Sequence, residues 1–291
     1  MKIAVASGKG GTGKTMVATS LASSLAPELS IQFLDCDVEA PNAHLFLHPD
    51  IDQEFPAVIR IPRINENFCS LCGKCTQVCE YNALAKLGES ILVFPQLCHG
   101  CGSCTRQCPE KAITEIPRQI GTISKGTTAS GIIHGMGELS ISEPMPTPII
   151  HQLKAMFREG DADLTIIDSP PGASCAVVAS VHDADFVILV TEPTPFGMHD
   201  LKQMLGIISQ TGTPAGVIIN REGIGDNQMD DYLSEQDIPV MLKIPYRSEI
   251  AAGLAAGRLL TDIFPGYQKQ FSDLYHAIKR LTQQRERGGL I

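Results

Sequence analysis

Residues 3–6 (IAVA) form an apolar run that leads straight into SGKGGTGKT, residues 7–15. Gly8, Gly13, Lys14 and Thr15 satisfy G-x4-G-K-[ST]. Glycines at this spacing let backbone N–H groups curl around phosphates, and the N-terminus of the following helix adds its partial positive charge. Val17, Ala18, Leu21 and Leu25 mark the inner face of that helix. Lys14 is placed to reach the β- and γ-phosphates of a nucleotide, and the Thr15 hydroxyl to bind Mg²⁺. Gly8, Lys9, Gly10, Gly11, Thr12, Gly13, Lys14, Thr15 and Met16 are therefore the expected phosphate-side contacts. A strand–loop–helix of this type needs a parallel sheet beside it.

Further apolar runs supply that sheet. They fall at 31–35, 164–168, 186–190, 215–220 and 238–245, separated by helical stretches. The alternation predicts an α/β fold with a doubly wound, mostly parallel sheet. A chain of 291 residues, 43% hydrophobic, can bury one large α/β core or two smaller ones. No apolar run reaches the ~18 residues of a membrane span, so stable membrane insertion is not expected. The N-terminal apolar run is too short for a secretion signal, which predicts a cytoplasmic protein. A net charge of -9 disfavours nucleic acid as the main partner.

Eight of the ten cysteines fall between Cys69 and Cys108. CSLCGKCTQVC holds Cys69, Cys72, Cys75 and Cys79; CHGCGSCTRQCP holds Cys98, Cys101, Cys104 and Cys108. Both follow C-x2-C-x2-C-x3-C, a spacing in which the fourth cysteine serves the other of two [4Fe-4S] clusters. The expected ligand sets are Cys69, Cys72, Cys75 with Cys108, and Cys98, Cys101, Cys104 with Cys79. A pair of zinc sites is the rival reading, but zinc ribbons pair two C-x2-C knuckles and leave the third and fourth cysteines unused. Between the quartets the sequence predicts a short helix at 81–85, a turn at Gly88–Glu89 and a strand at 91–94. Cys36 and Cys175 read as small buried hydrophobes, and His99 as a solvent-facing loop residue.

Residues 61–118 resemble the two-cluster bacterial ferredoxins, with Glu80 where proline is frequent. The rest resembles the MinD/ParA/Mrp class of P-loop ATPases, whose loop carries a second lysine, here Lys9 of KGGTGKT. That resemblance implies that Lys9 crosses a dimer interface to the partner's nucleotide. It implies Asp37 of DCDVEAPN as the residue that activates water, Asp35 near Mg²⁺, and Asp168 of DSPPG as the holder of a Mg²⁺-bound water, with Gly172 approaching the γ-phosphate. Lys9, Lys14, Asp37 and Asp168 are thus the catalytic candidates; Thr15, Asp35 and Asp168 the Mg²⁺ candidates. It further implies that Asn220, Arg221, Pro245 and Tyr246 flank the base. The expected organisation is an ATPase domain at 1–60 and 119–291, interrupted by a two-cluster insert at 61–118. The expected function is an ATPase that dimerises with itself or a related ATPase and couples ATP to electron transfer toward a redox partner protein. A cluster carrier, or a positioning ATPase with redox-sensing clusters, is the alternative.

Overall fold

The computed structural model describes residues 1–157, 162–225 and 227–288. In chain order the strands are β1 (Lys2–Ser7), β2 (Ile31–Asp35), β3 (Asp50–Ile64), β4 (Leu84–Leu87), β5 (Ser90–Val93), β6 (Ile113–Thr127), β7 (Ile133–Leu139), β8 (Leu164–Pro171), β9 (Phe186–Thr191), β10 (Ala215–Glu222) and β11 (Val240–Pro245). Nine of them share one sheet in the order β11-β10-β9-β1-β8-β2-β7-β6-β3. From β11 to β7 every neighbour runs parallel. Strands β1, β2, β8 and β9 are buried along almost their whole length, because helices cover both faces; this is why they read as unbroken apolar runs.

Helices Lys14–Leu25 and Gly266–Gly288 close one face with Val17, Leu21, Phe271, Leu274 and Ile278. Helices Thr147–Met156, Cys175–Val181 and Pro195–Thr211 close the other with Ile149, Leu153, Val177, Leu201 and Met204. The last long helix starts after Pro265 and follows a short turn of helix at Leu260–Ile263. Burying its Phe271, Leu274 and Ile278 contributes on the order of 5–9 kcal/mol, which ties its apolar stripe to the sheet. No described helix is long and apolar enough to cross a membrane.

The remaining sheet strands differ in kind. Strand β6 runs antiparallel to β7, and β3 antiparallel to β6. Only residues 121–127 of β6 pair with β7. Residues 113–120 continue with β3 alone, as a ribbon ending at the pair Ile64–Ile113. Because β7 is parallel to β2, the ribbon leaves at the carboxyl ends of the parallel strands, and it extends about 23 Å at roughly 3.3 Å per residue. Residues 61–64 and 113–118 therefore belong to the sheet's two longest strands, and a small lobe (65–112) sits at the ribbon's tip.

In the lobe, Cys75, Leu84, Ile91 and Cys104 pack on Ile113 of the ribbon, while Ala83 and Cys98 join the main core. The lobe is built from two copies of one backbone pattern, offset by the 29 residues from Cys69 to Cys98. Left-handed residues recur at this offset: Leu71 and Gly100, Gly73 and Gly102, Asn82 and Lys111. Short helices Lys74–Gln77 and Ser103–Arg106 recur with them. Residues 81–85 do not form the expected helix. Glu80 and Tyr81 turn, Asn82 is left-handed, and Leu84–Leu87 pairs antiparallel with Ser90–Val93, around the turn expected at Gly88–Glu89. The helix-forming side chains Ala83, Leu84 and Ala85 yield because Leu84 and Ile91 are buried together under the lobe.

Candidate functional site

The loop after β1 carries two glycines in the left-handed region, Gly11 (φ 77°) and Gly13 (φ 95°). A Cβ on Gly10 or Gly11 would meet nothing within 4 Å, so the concave side of the loop is open. A Cβ on Gly13 would lie 2.5 Å from Asn220 Nδ2, and one on Gly8 2.5 Å from Asp200 Cβ. Gly8 thus serves close packing against helix Pro195–Thr211. Lys14 is buried at the first turn of its helix, and the Thr15 hydroxyl donates to Asp168 Oδ2 at 2.6 Å.

The sheet register brings the carboxylates together. Asp35 on β2 lies directly beside Asp168 on β8, and both are fully buried. Burial holds the Asp35 carboxyl well above the usual carboxylate range, and the charge of Asp168 adds to this. Burial raises Asp168 too, opposed by Lys14 and by the Thr15 hydroxyl. Asp35 accepts backbone N–H bonds from Asp37, Asn42 and Ala43, so it also shapes the loop that carries Asp37. Asp37 is partly buried; burial raises its carboxyl and the Lys14 charge lowers it. Asp168 Oδ1 and the Thr12 hydroxyl are buried without partners. An unpaired carboxylate oxygen beside a hydroxyl and a second carboxylate suits a hard cation with oxygen ligands, so the donor set fits Mg²⁺.

Gly172 follows the Asp168 strand at φ 94°, and its N–H donates to Ser7 O at 3.0 Å. Asn220 is buried at the end of β10, where its amide donates to Thr12 O at 2.8 Å. Pro245 pairs with Glu222, which sets it two residues along from Asn220. Tyr246 is exposed, and its N–H donates to Glu222 O. Arg221 lies across the phosphate loop, with Nη2 3.3 Å from Gly11 O. The expected base-side residues therefore gather on the β10–β11 edge, with Arg221 turned toward the loop.

One residue escaped the sequence reading. Glu192, one step past β9 and 4% exposed, places Oε2 3.1 Å from Lys9 Nζ and Oε1 2.7 Å from Arg221 Nη1. Its signal was an acid at the carboxyl end of the apolar strand FVILVT.

In the lobe, Cys79, Cys98, Cys101 and Cys104 line one cavity, and Cys69, Cys72, Cys75 and Cys108 line the other. Their empty volumes are similar, about 350 and 330 Å³ with the open rims included. Each quartet thus sends its fourth cysteine to the other's cavity. Backbone N–H groups already donate to sulfur from Ala83 to Cys79, Gly100 to Cys98 and Ala112 to Cys108. Burial pushes the Cys75, Cys98 and Cys104 thiols up, while hydrogen bonding with Ser103 pulls Cys101 down. Among the described residues, no three His, Cys, Asp or Glu side chains gather as a single-ion site; the cysteines surround volumes. His99 is exposed and stacks on Tyr81, centroids 3.5 Å apart. Cys36 is fully buried, its thiol pushed far up by burial, whereas Cys175 is exposed, against expectation, at the start of its helix.

The profile described as CobQ/CobB/MinD/ParA nucleotide binding domain matches residues 3–260. The chain belongs to this family. An uncharacterized protein of Methanocaldococcus jannaschii is 33% identical over 96% of both chains, and a second from that organism is 31% identical over 86% of this chain and 87% of its own. A protein of Rickettsia bellii named iron-sulfur cluster carrier protein is 26% identical over 44% of this chain and 42% of its own. Among solved structures, the septum site-determining protein MinD complexed with Mg-ADP from Pyrococcus horikoshii superposes with a TM-score of 0.58 at 18% identity, covering 96% of both chains. The cell division ATPase MinD of Pyrococcus furiosus gives 0.59, also at 18% identity, over 96% of this chain and 98% of its own. These structures share the fold of this CobQ/CobB/MinD/ParA-family chain.

Proposed function

We propose that this protein is an ATPase that couples nucleotide state and dimerisation to electron transfer toward a partner redox protein, with residues 65–112 as an inserted two-[4Fe-4S] module. One observation carries the reading. The eight lobe cysteines divide crosswise between two cavities, on a ribbon that extends from the sheet bearing the phosphate loop. Four thiolates around each cavity suit a cube that needs four corners held, and the N–H donors to sulfur suit a reduced, electron-rich group. The clusters supply one-electron chemistry; the chain holds them and sets their environment.

At the nucleotide site, Lys14 supplies buried positive charge for the terminal phosphates. Thr15 and Asp168, with Asp35 beside them, would hold Mg²⁺, whose charge would offset that of the two carboxylates. Asp37, steadied by the Asp35 loop, orients the attacking water. Gly172 exchanges its bond to Ser7 O for the γ-phosphate, which moves the DSPPG segment that leads into helix Cys175–Val181. Lys9 completes the partner's site.

Anaerobic purification with iron and sulfide counting, followed by EPR with and without Mg-ATP, tests the whole reading. About eight irons per chain are expected, with a cluster signal that responds to Mg-ATP in the unaltered chain and not in Lys14→Ala. About two zincs in place of iron sinks the metal assignment. The carrier reading draws support from the Rickettsia relatives, though these align with less than half of the chain. ATP-dependent delivery of iron to an apo-acceptor would favour it.

A further inference from the structure

Glu192 is held rigidly. Its carbonyl accepts from Thr194 N at 2.8 Å, and a Cβ on Gly197 would lie 2.1 Å from that same oxygen, so only glycine lets the helix start fold back here. Lys9 is fixed from its own side, since the Ser7 hydroxyl donates to Lys9 O at 2.6 Å. Two anchored main-chain segments thus bring an ammonium onto a buried carboxylate of the same chain, with Lys9 35% and Glu192 5% exposed. Arg221 adds a second cation. It sits on Oε1 as a charge contact without hydrogen-bond alignment, anchored by Gly11 O and by its own N–H to Asn220 Oδ1.

The charges do not balance one to one. A single buried carboxylate faces two cations, so either cation can leave without stranding an uncompensated buried anion, the outcome that makes breaking a buried pair costly. Arg221 is tied to the loop, whereas among the described contacts the Lys9 side chain is held by Glu192 alone.

We propose that Glu192 is a positioning residue that parks the Lys9 ammonium within its own subunit, and that Arg221 neutralises Glu192 when Lys9 departs for a second copy of this chain. The proposal rests on the dimer reading given above and adds its regulation. The parked state opposes dimerisation until a partner's nucleotide outcompetes the carboxylate. Nucleotide phosphates, carrying more charge than a carboxylate, are the species able to do so.

Sedimentation equilibrium of the full chain with Mg²⁺ and a slowly hydrolysed ATP analogue tests this. Monomer nucleotide affinity is measured separately. Glu192→Gln is expected to tighten the dimer about 1.5- to fivefold, the range of a partly exposed ion pair. Arg221→Gln, which leaves Lys9 as the sole counter-ion, is expected to loosen it. In a Lys9→Ala background, Glu192→Gln is expected to change nothing, since the two act through one contact. Should Glu192→Gln fold poorly, Glu192→Asp, with its carboxylate drawn back, is expected to tighten the dimer by a smaller factor. A dimer unchanged or loosened by Glu192→Gln at normal nucleotide affinity overturns the proposal, as does a tightening that persists without Lys9. Failure of the unaltered chain to dimerise with the analogue is a different result, which sinks the dimer reading before any variant is made.

Discussion

Gly13 shows how much a single position decides. It holds φ 95° and meets Asn220 Nδ2 where a Cβ would stand. Gly13→Ala adds about 1–2 kcal/mol of left-handed strain and pushes Asn220 off the loop. Calorimetry is expected to show nucleotide affinity reduced at least tenfold, with the fold intact by circular dichroism. His134 is the opposite kind of residue, buried for packing. It lies fully buried on β7, stacked on Phe33, with neither ring nitrogen partnered. Burial, with some help from the nearby His44 charge, lowers its pKa to about 4. The unfolded chain therefore binds this proton more readily than the folded one. Stability is expected to be full above about pH 6.5 and to fall by roughly 3 kcal/mol as pH drops through 4. His134→Phe is expected to flatten that limb of a chemical-denaturation series against pH.

Elements were legible where burial and chemistry coincided. Strand β2 is legible because the apolar run at residues 31–35 ends in an acid, and the structure places it at Ile31–Asp35. The ribbon was not legible, since Pro56, Pro62 and Pro117 interrupt its pattern. They are tolerated because β3 and this part of β6 each keep an edge free of ladder partners. The acids Asp50, Asp52 and Glu54 on the same edge discourage a second sheet from pairing there. Glu192 was hidden for another reason: an acid after a strand looks like an ordinary helix approach, and only its burial reveals the two cations. The crosswise cysteines make an element-level prediction that sequence proximity would get wrong. Cys79→Ser with Cys101→Ser is expected to leave about four irons per chain, as either change does alone. Cys79→Ser with Cys75→Ser is expected to strip nearly all, by iron and sulfide assay.

On the scale of the whole molecule, the doubly wound, mostly parallel sheet follows from pattern, while its strand order and the manner of joining the lobe do not. Ile64 and Ile113 stand directly opposite each other in the antiparallel pair. Two residues of type Asn-Gly can bridge such a pair as a tight hairpin. Replacing residues 65–112 by Asn-Gly is expected to give a chain that folds cooperatively and binds ATP with unchanged affinity. It should also be colourless and free of iron, as thermal melts, calorimetry and metal analysis would show.

The ribbon's root has its own geometry. The ladder slips register between Ala57 and Val58, opposite residues 119–121, where β6 parts from β7. A bulge at that place bends and twists the strand that carries it. Beyond it the ribbon is steadied near its root, by Gln152 on Val58 and by Glu143 on Arg118, and projects past them to the lobe. Over about 23 Å, a pivot of about 5° at the root swings the far end by about 2 Å. The chain thus has a pointer, in which a small angular change at the sheet's edge is written large at the cysteines.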